Sequence, residues 1–99
     1  MVKRKLIWSN RAKISIYRIL KFYIDRNKSN TYSEKLFNIF NKEIQLLTKY
    51  PNLGVLTNIK NVRGLITGNY IIYYEITRKE IIIHTIWDSR QNPENLKIK

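Results

Sequence analysis

The stretch Val62–Trp87, VRGLITGNYIIYYEITRKEIIIHTIW, decides how this chain folds. It is filled with Ile, Tyr, Val and Thr, residues that suit a pleated, half-buried surface. Gly68-Asn69 and the polar Thr77-Arg78-Lys79-Glu80 interrupt it. The spacing predicts three strands, Val62 to Thr67, Tyr70 to Thr77 and Glu80 to Trp87, joined as an antiparallel meander. The middle run, Tyr70 to Ile76, is nearly apolar on both sides. That predicts a central strand, with one face beneath helices and the other partly covered or used for binding.

Upstream, the period changes from two to three or four. From Arg11 to about Asn27 the apolar residues Ala12, Ile16, Ile19, Leu20 and Tyr23 recur at helical spacing. Ser9 or Asn10 caps this helix, and the short apolar run Lys5-Leu6-Ile7-Trp8 before it reads as a first strand. Thr31-Tyr32-Ser33-Glu34 has the form of a capping box. The second helix it opens carries Leu36, Phe37, Phe40, Ile44 and Leu47 on one side. It stops at Tyr50-Pro51, because the residue before proline is pushed out of the helical region. Pro51-Asn52-Leu53-Gly54 is then a turn. A polar break at Lys28-Ser29-Asn30 favours an antiparallel helical hairpin. The expectation is an α+β fold of order β-α-α-β-β-β, with a helical hairpin packed on a small antiparallel β-sheet.

Ninety-nine residues suffice for one domain, residues 1–99, with one modest core. Hydrophobic residues are 43% and aromatics 12%, too many for a disordered chain. No run approaches the ~20 apolar residues of a membrane span. The apolar run after Lys3-Arg4-Lys5 is too short for a secretory signal, so a cytoplasmic protein is expected. Without cysteine, disulfides, thiolate metal sites and a cysteine nucleophile are excluded. With His84 as the one histidine, no metal site and no cofactor are expected.

Nineteen Lys+Arg against seven Asp+Glu give a net charge of +12. Twelve of the nineteen are Lys, part of which reflects an AT-rich composition with much Ile and Asn. The remaining surplus suits nucleic acid or an acidic protein partner. The charge is uneven: residues 1–50 carry +9 and residues 51–99 carry +3. Arg11, Arg18, Lys21 and Lys28 project within about 100° of one another on the first helix, away from its apolar side.

The residues with chemical capacity each have two readings. His84 alternates with Ile82 and Ile86, opposite Ile81, Ile83 and Thr85. It is a structural histidine if Ile82 and Ile86 face the core, and a proton carrier otherwise. Arg63 either pairs with a carboxylate such as Glu75 or Asp88, or holds a phosphate through its guanidinium fork. Gly64 beside it marks either a bulge or room for a ligand. Trp87-Asp88-Ser89-Arg90 ends the last strand as a binding edge or as a backbone cap. In the first case Arg90 neutralises phosphate and Trp87, Tyr70 or Tyr73 stacks a base. Paired carboxylates and a phosphate-cradling glycine loop are not evident.

Tyr50-Pro51-Asn52-Leu53-Gly54, Val62-Arg63-Gly64-Leu65-Ile66, Gly68-Asn69-Tyr70 to Tyr74, and Ile83-His84-Thr85-Ile86-Trp87-Asp88-Ser89-Arg90-Gln91-Asn92-Pro93 resemble the RelE/ParE superfamily of small bacterial toxins. The resemblance runs from about Leu6 to Leu96. It implies a growth-inhibiting toxin encoded beside a small, acidic, partly disordered antitoxin, for which Arg11, Arg18, Lys21 and Lys28 are the expected contacts. RelE-like relatives cut messenger RNA on the ribosome. ParE-like relatives poison DNA gyrase. In the RelE-like case the resemblance assigns Arg63 and Arg90 to phosphate charge and His84 or a tyrosine to proton transfer. In either case Arg63, Tyr70, Tyr73, Trp87 and Arg90 are the expected target contacts. Three departures from the nuclease pattern favour a ParE-like or otherwise diverged toxin, the first being that basic residues common on the strand before the middle one are reduced to Arg63. Ile71 stands where an arginine usually follows the start of the middle strand, and a C-terminal catalytic Tyr or His is not evident. A non-toxic basic nucleic-acid-binding module is the third reading.

Overall fold

The computed structural model describes residues 3–98; Met1, Val2 and Lys99, which belong to the expected 1–99 domain, lie outside it. The elements run β1 (Lys5–Trp8), α1 (Asn10–Asn27), α2 (Thr31–Lys49), β2 (Val55–Leu56), β3 (Val62–Thr67), β4 (Tyr70–Ile76) and β5 (Glu80–Asp88). A single 3-10 turn follows at Pro93–Asn95. The five strands make one sheet of order β1-β5-β4-β3-β2. The antiparallel meander β3-β4-β5 is present as the sequence predicts.

The sheet is mixed, however, where an antiparallel one was expected. β1 lies parallel to β5, with Leu6 opposite Ile81 and Trp8 opposite Ile83. Parallel neighbours need a long crossover, and the helical hairpin is part of the chain that supplies it. β2 is also new. Two residues, antiparallel to Gly64 and Arg63 of β3, are too short to show a period in sequence.

Ser9 caps α1, its hydroxyl accepting from the Ala12 amide and donating to the His84 carbonyl. That hydroxyl ties the helix start to the bulged part of β5. At α2 the expected capping box is absent. The helix already includes Thr31, Asn30 is the cap residue, and no side chain caps it. The Ser29 hydroxyl instead accepts from the Thr31 amide. The β3–β4 link is a two-residue hairpin with Gly68 at φ +60°, the left-handed position a tight turn of this kind requires.

Ala12, Leu36, Phe40, Ile44 and Leu47 from the helices pack on Leu65, Tyr70, Ile72, Tyr74, Ile81, Ile83 and Ile86 from the sheet. Phe37, expected on the buried side of α2, is 43% exposed at its margin. The second sheet face carries no helix. By register it presents Val62, Gly64 and Ile66 from β3, Ile71, Tyr73 and Glu75 from β4, and Ile82, His84 and Trp87 from β5.

β5 does not alternate evenly. Tyr73 pairs with Thr85 and Tyr74 with Ile83, which leaves His84 as the extra residue of a β-bulge. Ile83, Thr85 and Ile86 are therefore all buried. Ile86 does not share a face with His84, as strict alternation would have it.

Candidate functional site

Two surfaces carry chemistry. The first is a groove along α1. Arg11, Ser15, Arg18, Phe22 and Arg26 follow one another at intervals of three or four residues and share one helix face. The opposite wall is the end of β5 and the segment after it. Asp88 accepts both nitrogens of an Arg90 fork at 2.9 Å, and Ser89 donates to the Asn69 carbonyl at 2.7 Å. Arg11 reaches across to the Lys97 carbonyl at 2.9 Å. The groove holds two connected clefts. One, of about 330 Å³, is lined by Arg11, Ser15, Arg18, Thr85, Trp87 and Lys97 among others. The other, of about 430 Å³, is lined by Arg18, Phe22, Tyr23, Arg26, Tyr70 and Arg90 among others.

Hydrogen bonds set the electrostatics of the wider cleft. The Tyr23 and Tyr70 hydroxyls lie 3.2 Å apart. Tyr70, together with the Arg90 guanidinium, holds the Tyr23 phenol below its ordinary value. Burial pushes Tyr70 the other way, well above its own. Asp88 is held below the usual carboxylate range by its bonds from Arg90, and Arg90 is held still more firmly protonated in return. The two phenols are thus shifted in opposite directions beside a fixed cation.

The second surface is the uncovered sheet face. Its centre is apolar: Ile66 is 66% exposed, and Ile71, Tyr73 and Trp87 are half-buried around it. Gly64 lies under the Tyr73 ring; a Cβ there would meet that ring at 3.3 Å and Ile71 at 3.0 Å. The small residue is therefore explained by aromatic packing, and it is neither a bulge nor a ligand gap. The polar group of this face is His84, whose Nε2 stands 2.8 Å from a Glu75 carboxylate oxygen. No arginine of the described strands points to this face. Its one lysine, Lys5, lies at a corner opposite Glu80, ~13 Å along the strand from His84.

The sequence-selected residues divide between these surfaces and a third place. Tyr70 and Arg90 line the wider cleft of the groove, and Trp87 lines the narrower one. By register, though, Trp87 pairs with Ile71 and so shares the uncovered face with Tyr73 and His84. Arg63 joins neither. It lies at the far end of β3, ~13 Å along the strand from the level of Tyr70. There it donates to the carbonyls of Gly54 at 2.8 Å and Asn52 at 3.4 Å. Its partner is the turn after α2, a role outside both readings of the sequence. Of the expected antitoxin contacts, Arg11 and Arg18 line the groove. Lys21 pairs with Asp25 at 3.6 Å on a neighbouring stripe, and Lys28 ends the helix in a left-handed conformation. The sequence reading passes over Phe22 and Arg26 and places Tyr23 on the apolar side of the helix. The i, i+4, i+7, i+11, i+15 spacing from Arg11 to Arg26 carries the signal that finds Phe22 and Arg26. Among the described residues no three His, Asp or Glu side chains are placed to hold a metal, and no helix is long and apolar enough to cross a membrane.

Comparison with known proteins agrees with this geometry. A solved chain described as the chromosomal ParDE TA system from P. aeruginosa superposes with a TM-score of 0.74 at 18% identity. The match covers 85% of this chain and 94% of that one, and establishes a shared α+β fold. No curated protein is detectably similar in sequence. The family model of the ParE toxin of type II toxin–antitoxin systems, parDE, matches residues 6–93. The chain belongs to that family.

Proposed function

We propose that this protein is a ParE-like toxin that arrests growth by docking on a macromolecular target, DNA gyrase, and not by cutting RNA. One observation carries the reading: the uncovered sheet face offers apolar side chains and a His84–Glu75 pair and, among the described strand residues, no guanidinium. Phosphodiester cleavage develops charge on phosphorus, and one well-placed donor for such charge is worth ~3 kcal/mol. His84 next to Glu75 has the geometry of an oriented base. Among the described residues it has no arginine beside it on its own face to hold the phosphate, since Lys5 stands ~13 Å along the strand, Arg63 serves the turn at residues 51–54 and Arg90 lies by α1. An apolar, aromatic face suits a protein surface better than a phosphate backbone.

The neutralising partner is an acidic antitoxin segment. Arg11 and Arg18, with Lys21 and Lys28 on the adjoining stripe, give α1 a cationic side that steers such a segment at low salt. The deciding experiment adds purified protein to a gyrase supercoiling reaction and, separately, to ribosomes carrying message. Loss of supercoiling with intact message supports the reading. Codon-specific cleavage with unaffected supercoiling overturns it in favour of a ribosome-dependent nuclease built on His84, and inertness in both assays with harmless overexpression leaves a simple nucleic-acid-binding module.

A further inference from the structure

We propose that the wider cleft between α1 and the end of β5 is a nucleotide-binding site, taking a phosphate on its arginines and a base on Phe22. The inference goes beyond the toxin reading and shares only Arg18 with the cationic side of α1 assigned there to the antitoxin.

Three guanidinium groups line this cleft, Arg18, Arg26 and Arg90, against one carboxylate, Asp88. Arg90 is already engaged by that carboxylate through both of its forked nitrogens. Arg18 and Arg26 have no carboxylate partner among the described residues. Gln91 and two phenols, Tyr23 and Tyr70, which hydrogen-bond to each other, complete the polar lining. The cleft therefore offers two free forks and two hydroxyls. A carboxylate is satisfied by a single fork, whereas a phosphate accepts on three oxygens and is matched by several donors at once. The donor count favours phosphate over an acidic side chain.

The second half of the ligand is read from Phe22. Its ring is 55% exposed, although it sits on the helix stripe that walls the groove. Tyr23 meets it edge-on at 5.1 Å between ring centres, and the Arg26 guanidinium lies 6.0 Å from its centroid. A fixed, exposed aromatic ring beside cations is the platform on which nucleobases stack, with little preference for which base. A volume of about 430 Å³ lies within the range of small-ligand sites. The same phosphate-and-base chemistry occurs in a free nucleotide and at the end of a single strand.

The test titrates the purified full-length protein with AMP, inorganic phosphate, oligothymidylate with and without a 5′-phosphate, and a tetraglutamate peptide. Binding is followed by amide chemical shifts. AMP is expected to saturate and to move the signals of Phe22, Tyr23 and Arg90. Arg26→Gln should weaken AMP and phosphate alike by tenfold or more. Phe22→Ala should weaken AMP at least fivefold and leave inorganic phosphate unchanged. Arg78→Gln, at the opposite end of the sheet, should change neither. Tighter binding of the 5′-phosphorylated strand than of AMP identifies the strand end as the natural ligand, and the reverse order identifies the free nucleotide. The proposal fails if Arg78→Gln weakens binding as much as Arg26→Gln, if tetraglutamate matches AMP, or if nothing saturates. All these side chains are exposed, so each variant should keep the wild-type melting temperature, and its gyrase assay reports independently on the toxin reading.

Discussion

Tyr74→Phe removes one oxygen atom, and the structure says what that atom does. Its hydroxyl donates to the Pro51 carbonyl at 2.7 Å and accepts from the buried Gly54 amide at 2.8 Å. The ring itself is fully buried between helices and sheet, and phenylalanine refills its space. The loss is then almost purely polar. An amide left buried without an acceptor costs ~1–3 kcal/mol, and the second bond adds about 1. A total of roughly 2–4 kcal/mol is a large share of the 5–15 typical of a domain. At ~4–8 °C per kcal/mol for a chain of this size, melting should fall by roughly 8–32 °C. Urea unfolding followed by tryptophan fluorescence should give a lower midpoint with an unchanged slope. A loss under about 0.5 kcal/mol would refute the view that this phenol pins the turn. Arg63→Ala should weaken the same turn, since Arg63 binds the Gly54 carbonyl. If the turn is their common object, the double variant should lose less than the sum of the singles. Growth assays gain a control from this. Should Tyr74→Phe relieve toxicity as much as Arg63→Ala does, Arg63 acts through the fold and touches no target.

Three other outcomes follow from local geometry. Gly54→Ala should destabilise by about 2 kcal/mol or more in urea melts, because its Cβ would meet the Gly64 carbonyl oxygen and the Tyr74 hydroxyl, each at 2.9 Å. Gly68→Ala meets nothing within 4 Å and should cost only the ~1 kcal/mol of a left-handed residue. In an ultraviolet titration one phenol, Tyr23, should ionise below the ordinary value of 10, and Tyr70→Phe should move that step upward by removing its main hydrogen bond. Asp88 is depressed in the folded state, so its contribution to stability is present above its unfolded value near 3.8 and is lost as pH falls through the lower folded value. Melting temperatures from pH 2 to 6 should show a shallower acid limb in Asp88→Asn, and an identical limb would count against the Arg90 fork.

Most of the architecture was written in local patterns. Strand and helix periods, the Gly68-Asn69 hairpin and the Pro51 stop each act over a few residues, so a single sequence displays them. What stayed hidden depends on residues far apart. The parallel pairing of β1 with β5 joins Lys5 to Glu80 and needs the intervening helices in place. β2 exists only because Gly64 and Arg63 offer it an edge. In sequence Arg63 reads as a partner for carboxylate or phosphate because its side chain invites both. Its actual acceptors are main-chain carbonyls, which every residue carries and no sequence pattern marks. Tyr23 likewise looked like a core residue on the buried stripe of α1. Only the convergence of Tyr70 and Arg90 from the sheet end makes it the most acidified phenol of the groove.

One inserted residue links the two surfaces. Counting outward from Ile83 with strict alternation places Thr85 and Trp87 toward the helices and Ile86 and Asp88 away from them. The bulge at His84 and Thr85 reverses the sequence from Ile86 on: Thr85 stays toward α1, its hydroxyl 3.0 Å from that of Ser15, Ile86 is buried with the core, Trp87 pairs with Ile71 on the uncovered face, and Asp88 pairs with Tyr70 on the helix side. Asp88 in turn fixes Arg90 through its fork, within reach of Tyr23. The aromatic surplus of the uncovered face and the placing of Arg90 in the α1 groove thus have one structural cause. Shortening β5 by one residue at the bulge should exchange them, turning Trp87 inward and carrying Asp88 with Arg90 away from α1. A chain so shortened that still folded with Asp88 beside Tyr70 would show that the strand end, and not the bulge, sets which face each side chain takes.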